Sequence, residues 1–135
     1  MATYNKFNQF VTDMANGVHN LGSNQLTVAL SDSTPSATNK YLSDISQVSY
    51  TNLSTRNITL TSSSASGATY ILKLNDLTLT ASGNVAQFAH VVIYNSTSAS
   101  GNLICWFDYG AEVNMTTGNT FLVDFDNTNG LLQVS

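Results

Sequence analysis

Short runs in which apolar and polar residues alternate, separated by glycines, constrain the fold of this chain more than any other feature. In residues 24–31, Leu26, Val28 and Leu30 alternate with polar or small residues, which predicts a β-strand with one face toward a core. Further runs of this kind occupy residues 57–63, 68–82, 86–95, 102–110, 119–126 and 131–135. Glycines such as Gly110 lie at the ends of these runs, where turns need positive φ. The pattern predicts a mainly β protein, an antiparallel β-sandwich or jelly-roll-like domain of about seven or eight strands.

Turn residues inside this pattern predict two of the connections. Asn75 and Asp76 interrupt the alternation of residues 68–82, which indicates two strands or one bulged strand. Asn129 followed by Gly130, between two alternating runs, predicts a β-hairpin.

A helical pattern precedes the first strand. Its apolar residues fall at the spacing of one helix face, at Phe7, Phe10, Val11, Met14 and Val18. Thr3 is placed to cap the start of this helix, and Asn16 and Gly17 are placed to end it. A helix of about three turns is marginal alone and needs a surface to dock on. That surface is either its own domain or a neighbouring subunit, and the sequence fits both.

The stretch from residue 32 to residue 56 shows few strand signals. It contains the only proline, and its part 41–50 fits either a helical turn or an extended arm. A long irregular stretch in a small domain is often functional. We therefore expect a single domain, 1–135, in three parts. These are an N-terminal helix in 1–20, an irregular arm or loop in 32–56, and a main β-sandwich that 57–135 forms together with strand 24–31.

The bulkiest residues concentrate in the later strands. In residues 102–110, alternation places one set on one face, Leu103, Cys105, Phe107 and Tyr109, and another set on the opposite face, Ile104, Trp106 and Asp108. Both faces are mostly apolar, so we expect a central strand. The predicted core comprises Phe88, Val92, Cys105, Trp106, Phe107, Phe121, Val123 and Phe125. One cysteine allows no internal disulfide, and within an apolar run it is expected to act as a small hydrophobe.

The charge of the chain argues against several classes of partner. The net charge is −4, only four residues are basic, and they form no cluster. Proteins that bind phosphates need a basic patch, so we expect no nucleic-acid or anionic-membrane partner. The sequence shows no secretory signal and no apolar run of the roughly 20 residues that a membrane helix needs. We expect the protein to be made in a cytoplasm.

No catalytic or metal-binding constellation stands out. The two histidines lie far apart, and the spacings typical of zinc sites are missing. His90 is expected on the face of Phe88 and Val92 as a structural histidine. Residues 124–130 faintly resemble a calcium loop, but the glycine comes one position late and the final glutamate is missing. Asp108, Glu112, Asp124 and Asp126 offer a carboxylate pair only as any eight acids would. We predict no catalytic residue, no metal, no cofactor and no enzyme activity.

Both ends of the chain resemble a family of small structural proteins of tailed bacteriophages. The likeness covers residues 1–47 and 86–135, and its most specific pieces are GVHNLGS, QLTVALS and STP near one end and WFDYG and DFDNTNG near the other. The resemblance implies a capsid decoration, or cement, protein on the outer surface of the phage head. Such proteins bind the expanded icosahedral shell, often as trimers, and bridge neighbouring capsomers. The family has no catalytic residues to carry over.

This resemblance leads to an expected set of partners and contact residues. The partners are the major capsid protein and further copies of the chain, most simply in a homotrimer. Contacts are expected through the helix and the arm, at Phe7, Phe10, Val11, Met14, Tyr41, Leu42, Ile45 and Tyr50. Two alternatives stay open. One is another phage structural part, such as a head–tail joining, tail or spike protein. The other is a carbohydrate-binding or receptor-binding module in which Tyr94, Trp106 or Tyr109 stacks on sugars.

Overall fold

The fold is mainly β with antiparallel sheets, as the alternating runs predicted. The computed structural model describes residues 3–134. Within that range the strands are β1 Thr3–Lys6, β2 Leu26–Ser31, β3 Leu60–Ser66, β4 Thr69–Leu74, β5 Leu77–Thr80, β6 Val85–Asn95, β7 Leu103–Met115, β8 Thr120–Val123 and β9 Leu132–Val134. A helix, α1, spans Asn8–Ala15, and one 3₁₀ turn spans Leu42–Asp44.

Three antiparallel sheets make up a sandwich-like arrangement. The first has the order β1-β7-β6-β2, the second β3-β4-β9, and the third contains β5 and β8. The long strands β6 and β7 lie in the middle of the first sheet. This sheet is covered on both faces, which explains why the sequence of its strands is apolar on both sides.

Two hydrophobic clusters hold these layers together. The larger one joins the first sheet to the other two, for example Ile93 with Leu72 and Val123. The smaller one lies on the opposite face of the first sheet, where the rings of Phe7 and Trp106 are 4.6 Å apart. Full burial of a large side chain contributes about 1.5–3 kcal/mol, so both clusters are needed to stabilise a domain of this size.

The N-terminal segment differs from the predicted helix. Residues Thr3–Lys6 form β1, which pairs with residues 105–108 of β7, so Thr3 does not cap a helix. Helix α1 begins only at Asn8, because β1 pairs with β7 along its whole length. The predicted end is confirmed: Asn16 caps the helix and Gly17 has φ of 74°. Val18 lies beyond the helix.

The predicted hairpin at Asn129 and Gly130 is wrong. A turn is present there, and Gly130 has φ of 76°, but β8 pairs with β5 whereas β9 pairs with β4. The turn therefore passes the chain from one sheet to another. The interruption at Asn75 and Asp76 has the same effect, since it separates β4 from β5.

Bulges change which side chains share a face. Tyr94 pairs with Leu103 and Ile93 pairs with Cys105, so Ile104 is an extra residue in β7. Leu103 consequently joins the face of Trp106 instead of the predicted face of Cys105.

Two further expectations for the central strands are corrected. A register irregularity between Phe88 and His90 separates these two side chains, which were expected on one face. Gly110, with φ of 81°, was expected to end its strand, yet β7 continues to Met115.

The segment 32–56 is irregular, as predicted, but it lies against its own domain. Backbone N–H groups of Leu42, Val48 and Ser54 donate to carbonyls of Gly101, Leu30 and Thr80 over 2.9–3.0 Å. These hydrogen bonds tether the segment along its length. It is a packed loop and not a projecting arm.

Candidate functional site

An apolar groove opens between β7 and β8, and we call it the β7–β8 groove. It has a volume of about 500 Å³ and is lined by Val91, Phe107, Tyr109, Phe121, Leu122, Val123, Asp124, Phe125 and Asp126. No residue of β5 lines it, although β5 is the strand that pairs with β8. The groove therefore lies along the outer edge of β8, where the first sheet separates from the third.

Two aromatic contacts line the groove and join β7 to β8 and to the residues that follow it. The rings of Tyr109 and Phe121 are 5.2 Å apart, and those of Phe107 and Phe125 are 6.5 Å apart, both edge to face. Edge-to-face pairs of this kind are favourable and fix the orientation of the rings. The two layers are thus joined here by side chains, and an apolar surface remains open above them.

Exposed apolar side chains border the groove. Tyr109 is 42% exposed and Leu122 is 53% exposed. Tyr4, which is 41% exposed, extends this surface through a smaller adjoining groove that it shares with Phe107 and Leu131. Single exposed apolar residues are ordinary, whereas a contiguous patch indicates a contact site.

The rim of the groove is acidic. Asp126 accepts hydrogen bonds from the backbone N–H groups of Asn129 and Thr128 at 2.8 Å and 2.7 Å, and these bonds hold the pKa of its carboxyl below the usual range. Asp124 makes no hydrogen bond or ion pair within residues 3–134, and no basic side chain lines the groove in that range. Among the described residues the carboxylate of Asp124 therefore has no partner, and it can pair with a ligand.

The backbone of β8 forms one wall. Its residues Thr120–Val123 pair with residues 77–80 of β5 on one side only. In an antiparallel strand the N–H and C=O groups of alternate residues point away from the partner strand. The outer edge of β8 can therefore accept hydrogen bonds from, and donate them to, another extended chain.

Three of the predicted contact residues belong to the core instead. Phe7, Phe10 and Ile45 are 0%, 5% and 7% exposed. Phe7 precedes the helix in an extended conformation and enters the smaller cluster, which Ile45 joins from the loop. Phe10 packs into the larger cluster. These side chains stabilise the chain's own domain, so their assignment to an interface is corrected.

The other five predicted contact residues do not form one surface. Val11 and Tyr41 are exposed, while Met14, Leu42 and Tyr50 are half-buried against the clusters. Tyr41 and Leu42 line one shallow groove and Met14 lines another.

The predicted core residues are found in two settings. Six of them are at most 7% exposed: Phe88, Val92, Cys105, Trp106, Val123 and Phe125. Phe107 and Phe121 are half-buried and form part of the groove floor. Burial raises the pKa of the Cys105 thiol far above its usual value, which keeps it protonated.

A cluster of buried polar side chains joins α1 to the ends of β6 and β7. Asp13 is 4% exposed, and its Oδ2 accepts a hydrogen bond of 2.9 Å from Nδ2 of Asn102. Its Oδ1 accepts one of 3.0 Å from Nε2 of Gln9. No sequence pattern indicates this cluster, because its members lie up to 89 residues apart.

His19 completes the buried polar cluster. Nδ2 of Asn95 lies 3.0 Å from Nδ1 of His19 and donates to it, which leaves the proton of the neutral ring on Nε2. That Nε2 has no hydrogen-bond partner within residues 3–134. Burial lowers the pKa of His19, and the charge of Asp13 partly opposes the shift. The side chain of His19 is fully buried, so we assign it a structural role.

Two further pairs of titratable groups lie along β6, β7 and the loop after β2, and of these four side chains His90 is buried. A hydrogen bond with Asp32 raises the pKa of Glu112, and His90 Nε2 lies 3.7 Å from Oδ1 of Asp108. Residues 3–134 contain no group of three or more side chains placed to bind a metal ion.

Two observations complete the description of the chain. None of the helices formed by residues 3–134 is long and apolar enough to cross a membrane. Comparison with protein families, curated proteins and solved structures found no match. Any function must therefore be argued from the residues and from the groove.

Proposed function

We propose that this chain is a structural virion protein, a capsid decoration or cement protein that binds the outer surface of an expanded phage head. The β7–β8 groove carries the proposal, because it is a contiguous apolar contact surface on a double-layered β domain. The resemblance of both chain ends to small phage structural proteins is the reason to propose a phage head as the binding partner.

The composition suits such a role. Only 9% of the residues are charged, while Ser, Thr and Asn supply 50 of 135 residues. A surface that is wetted by neutral groups repels its own copies little, so many copies can lie close together on a shell. Contacts of this kind depend on area and shape and much less on ion pairs.

The proposed partners follow from the same chemistry. They are the major capsid protein and further copies of the chain, most simply as a homotrimer that bridges neighbouring capsomers. A net charge of −4 with scattered basic residues favours the outside of the head, away from packaged DNA. The protein would be made in the host cytoplasm and would then join the virion.

The test is the copy number of the chain in purified particles from the virus whose genome encodes it, measured by quantitative mass spectrometry against the major capsid protein. A ratio close to equimolar is expected. A few copies per particle would favour a head–tail joining, tail or spike protein, and complete absence from particles would contradict the structural role.

A sugar-binding module is the second candidate, and one observation favours it. Tyr109 is exposed beside the free carboxylate of Asp124, the combination of ring and acid that sugars can use. Tyr94 and Trp106, in contrast, are 8% and 7% exposed and cannot stack on a ligand. A glycan array with the purified protein tests this candidate directly.

A further inference from the structure

We propose that the β7–β8 groove binds an extended segment of a partner protein, which adds as a strand to the outer edge of β8. The segment would carry apolar side chains at alternate positions and a basic residue beside Asp124. This inference rests on the proposed function in that both use the groove as a contact surface, and it deepens that function by naming the chemistry of the partner segment.

The outer edge of β8 has the backbone groups that an added strand needs. Within residues 3–134, β8 pairs only with β5, and its other edge faces the groove. Natural sheet edges are usually protected by proline, lysine or a bulge. Residues Thr120–Val123 contain neither residue, and their pairing with β5 runs without a register shift. The edge therefore remains suited to receive another strand, whose main-chain hydrogen bonds would supply affinity without regard to sequence.

The side chains that line the groove determine where the bound segment should be apolar. A strand beside β8 directs alternate side chains toward the floor and the others toward solvent. The accessible part of the floor is formed by the half-buried rings of Phe107 and Phe121, and Leu122 and Tyr109 stand at the surface beside it. Apolar side chains at every second position of the ligand would cover this surface.

The acidic rim of the groove determines where the bound segment should carry a basic residue. Asp124 has no partner within the described part of the chain, and the neighbouring Asp126 is already satisfied by the backbone of residues 128 and 129. No basic side chain among those residues lines the groove. A lysine or arginine at the end of the bound strand would complement this acidic rim.

Selection from a displayed library of random dodecapeptides on the intact protein tests the proposal. We expect the enriched peptides to alternate apolar residues and to carry a lysine or arginine. Synthetic copies should shift the NMR amide signals of Thr120–Val123 and slow hydrogen exchange at those alternate amides that point away from β5, because strand addition protects outward-facing N–H groups.

Two variants with matched controls sharpen the test. Leu122→Ser should weaken binding of a selected peptide by about tenfold, since burial of a leucine is lost. Val11→Ser, at an equally exposed site on α1, should leave binding unchanged. Asp124→Asn should weaken binding by about two- to fivefold, the size of one exposed ion pair. Glu112→Gln, an acid outside the groove, should have no effect.

Several results would overturn the proposal. One is enrichment of no peptide above a blank surface, and another is peptides whose binding survives both groove variants. Binding with no change at the amides of β8 would exclude strand addition. Glycan binding without peptide binding would assign the groove to sugars, and self-association that Leu122→Ser abolishes would assign it to a second copy. The particle copy number is measured separately, so either idea can fail alone.

Discussion

Nε2 of His19 lies 4.0 Å from Oδ2 of Asp13, and both side chains are buried without a hydrogen bond between them. The carboxylate is satisfied by Asn102 and Gln9, whereas the imidazole is held only through Nδ1 by Asn95. The carboxylate of Asp13 thus lies close to the ring of His19, which burial keeps neutral. The arrangement makes the stability of the domain sensitive to pH.

Stability should fall as pH falls below about 6.5, the ordinary pKa of histidine. In the folded chain burial lowers the pKa of His19, so between the two pKa values the unfolded chain binds more protons. Protonation there favours unfolding, and the loss levels off below the pKa of the folded state. Urea unfolding at about pH 7.5 and about pH 5.5 measures it. His19→Gln, which keeps an acceptor for Asn95, should show a smaller loss, and an equal loss would refute the assignment.

Phe7→Ala should destabilise the domain by about 3–5 kcal/mol, because Phe7 is fully buried against Trp106. Val11→Ala, four residues away on the exposed face of α1, should change stability by less than about 0.5 kcal/mol. The free energy of unfolding in urea compares the two. Similar small costs for both variants would contradict the burial of Phe7 and would restore it as a candidate contact residue.

Gly130→Ala should cost clearly more stability than Gly118→Ala. Both glycines have positive φ, so each alanine pays about 1–2 kcal/mol of backbone strain. A Cβ at position 118 meets open space, whereas one at position 130 overlaps the carbonyl of Leu72. That carbonyl accepts the 2.7 Å hydrogen bond from Leu131 that leads into β9. The midpoints of thermal unfolding compare the two variants. Equal midpoints would contradict the close contact between position 130 and the carbonyl of Leu72.

The thiol of Cys105 should be unreactive in the folded protein. It is fully buried, and burial raises its pKa, so almost no thiolate exists at neutral pH. A thiol reagent such as a chromogenic disulfide should react only as the protein unfolds, at the rate of unfolding. Rapid labelling under native conditions would show that the first sheet opens locally.

Strand β2 of the first sheet was the most predictable part of the fold. Leu26, Val28 and Leu30 all point into the larger cluster, as their alternation predicted. The error at Phe7 arose because its spacing fits a helix face while the chain is in fact extended there. Helical spacing cannot reveal that residues Thr3–Lys6 find a partner strand about 100 residues away.

The groove and the polar cluster could not be predicted for a related reason. Phe107 and Phe121 were expected in the core, and only the separation of two sheets leaves them at the floor of an open groove. Nothing in the sequence marked the edge of β8 as unpaired. Asp13 and Asn102 are brought together by tertiary packing alone, so no local sequence pattern predicts their contact.

The pairing of β1 with β7 also determines when the domain can fold. Residues Thr3–Lys6 lack their neighbour until residues 105–108 have left the ribosome, and β4 waits in the same way for β9. Folds with so many distant pairings typically form in milliseconds to seconds, and their strand edges stay open meanwhile. The domain can therefore complete its sheets only after residues up to 134 have emerged. A cell that makes it in large amounts must hold many unfinished chains apart before any of them can assemble.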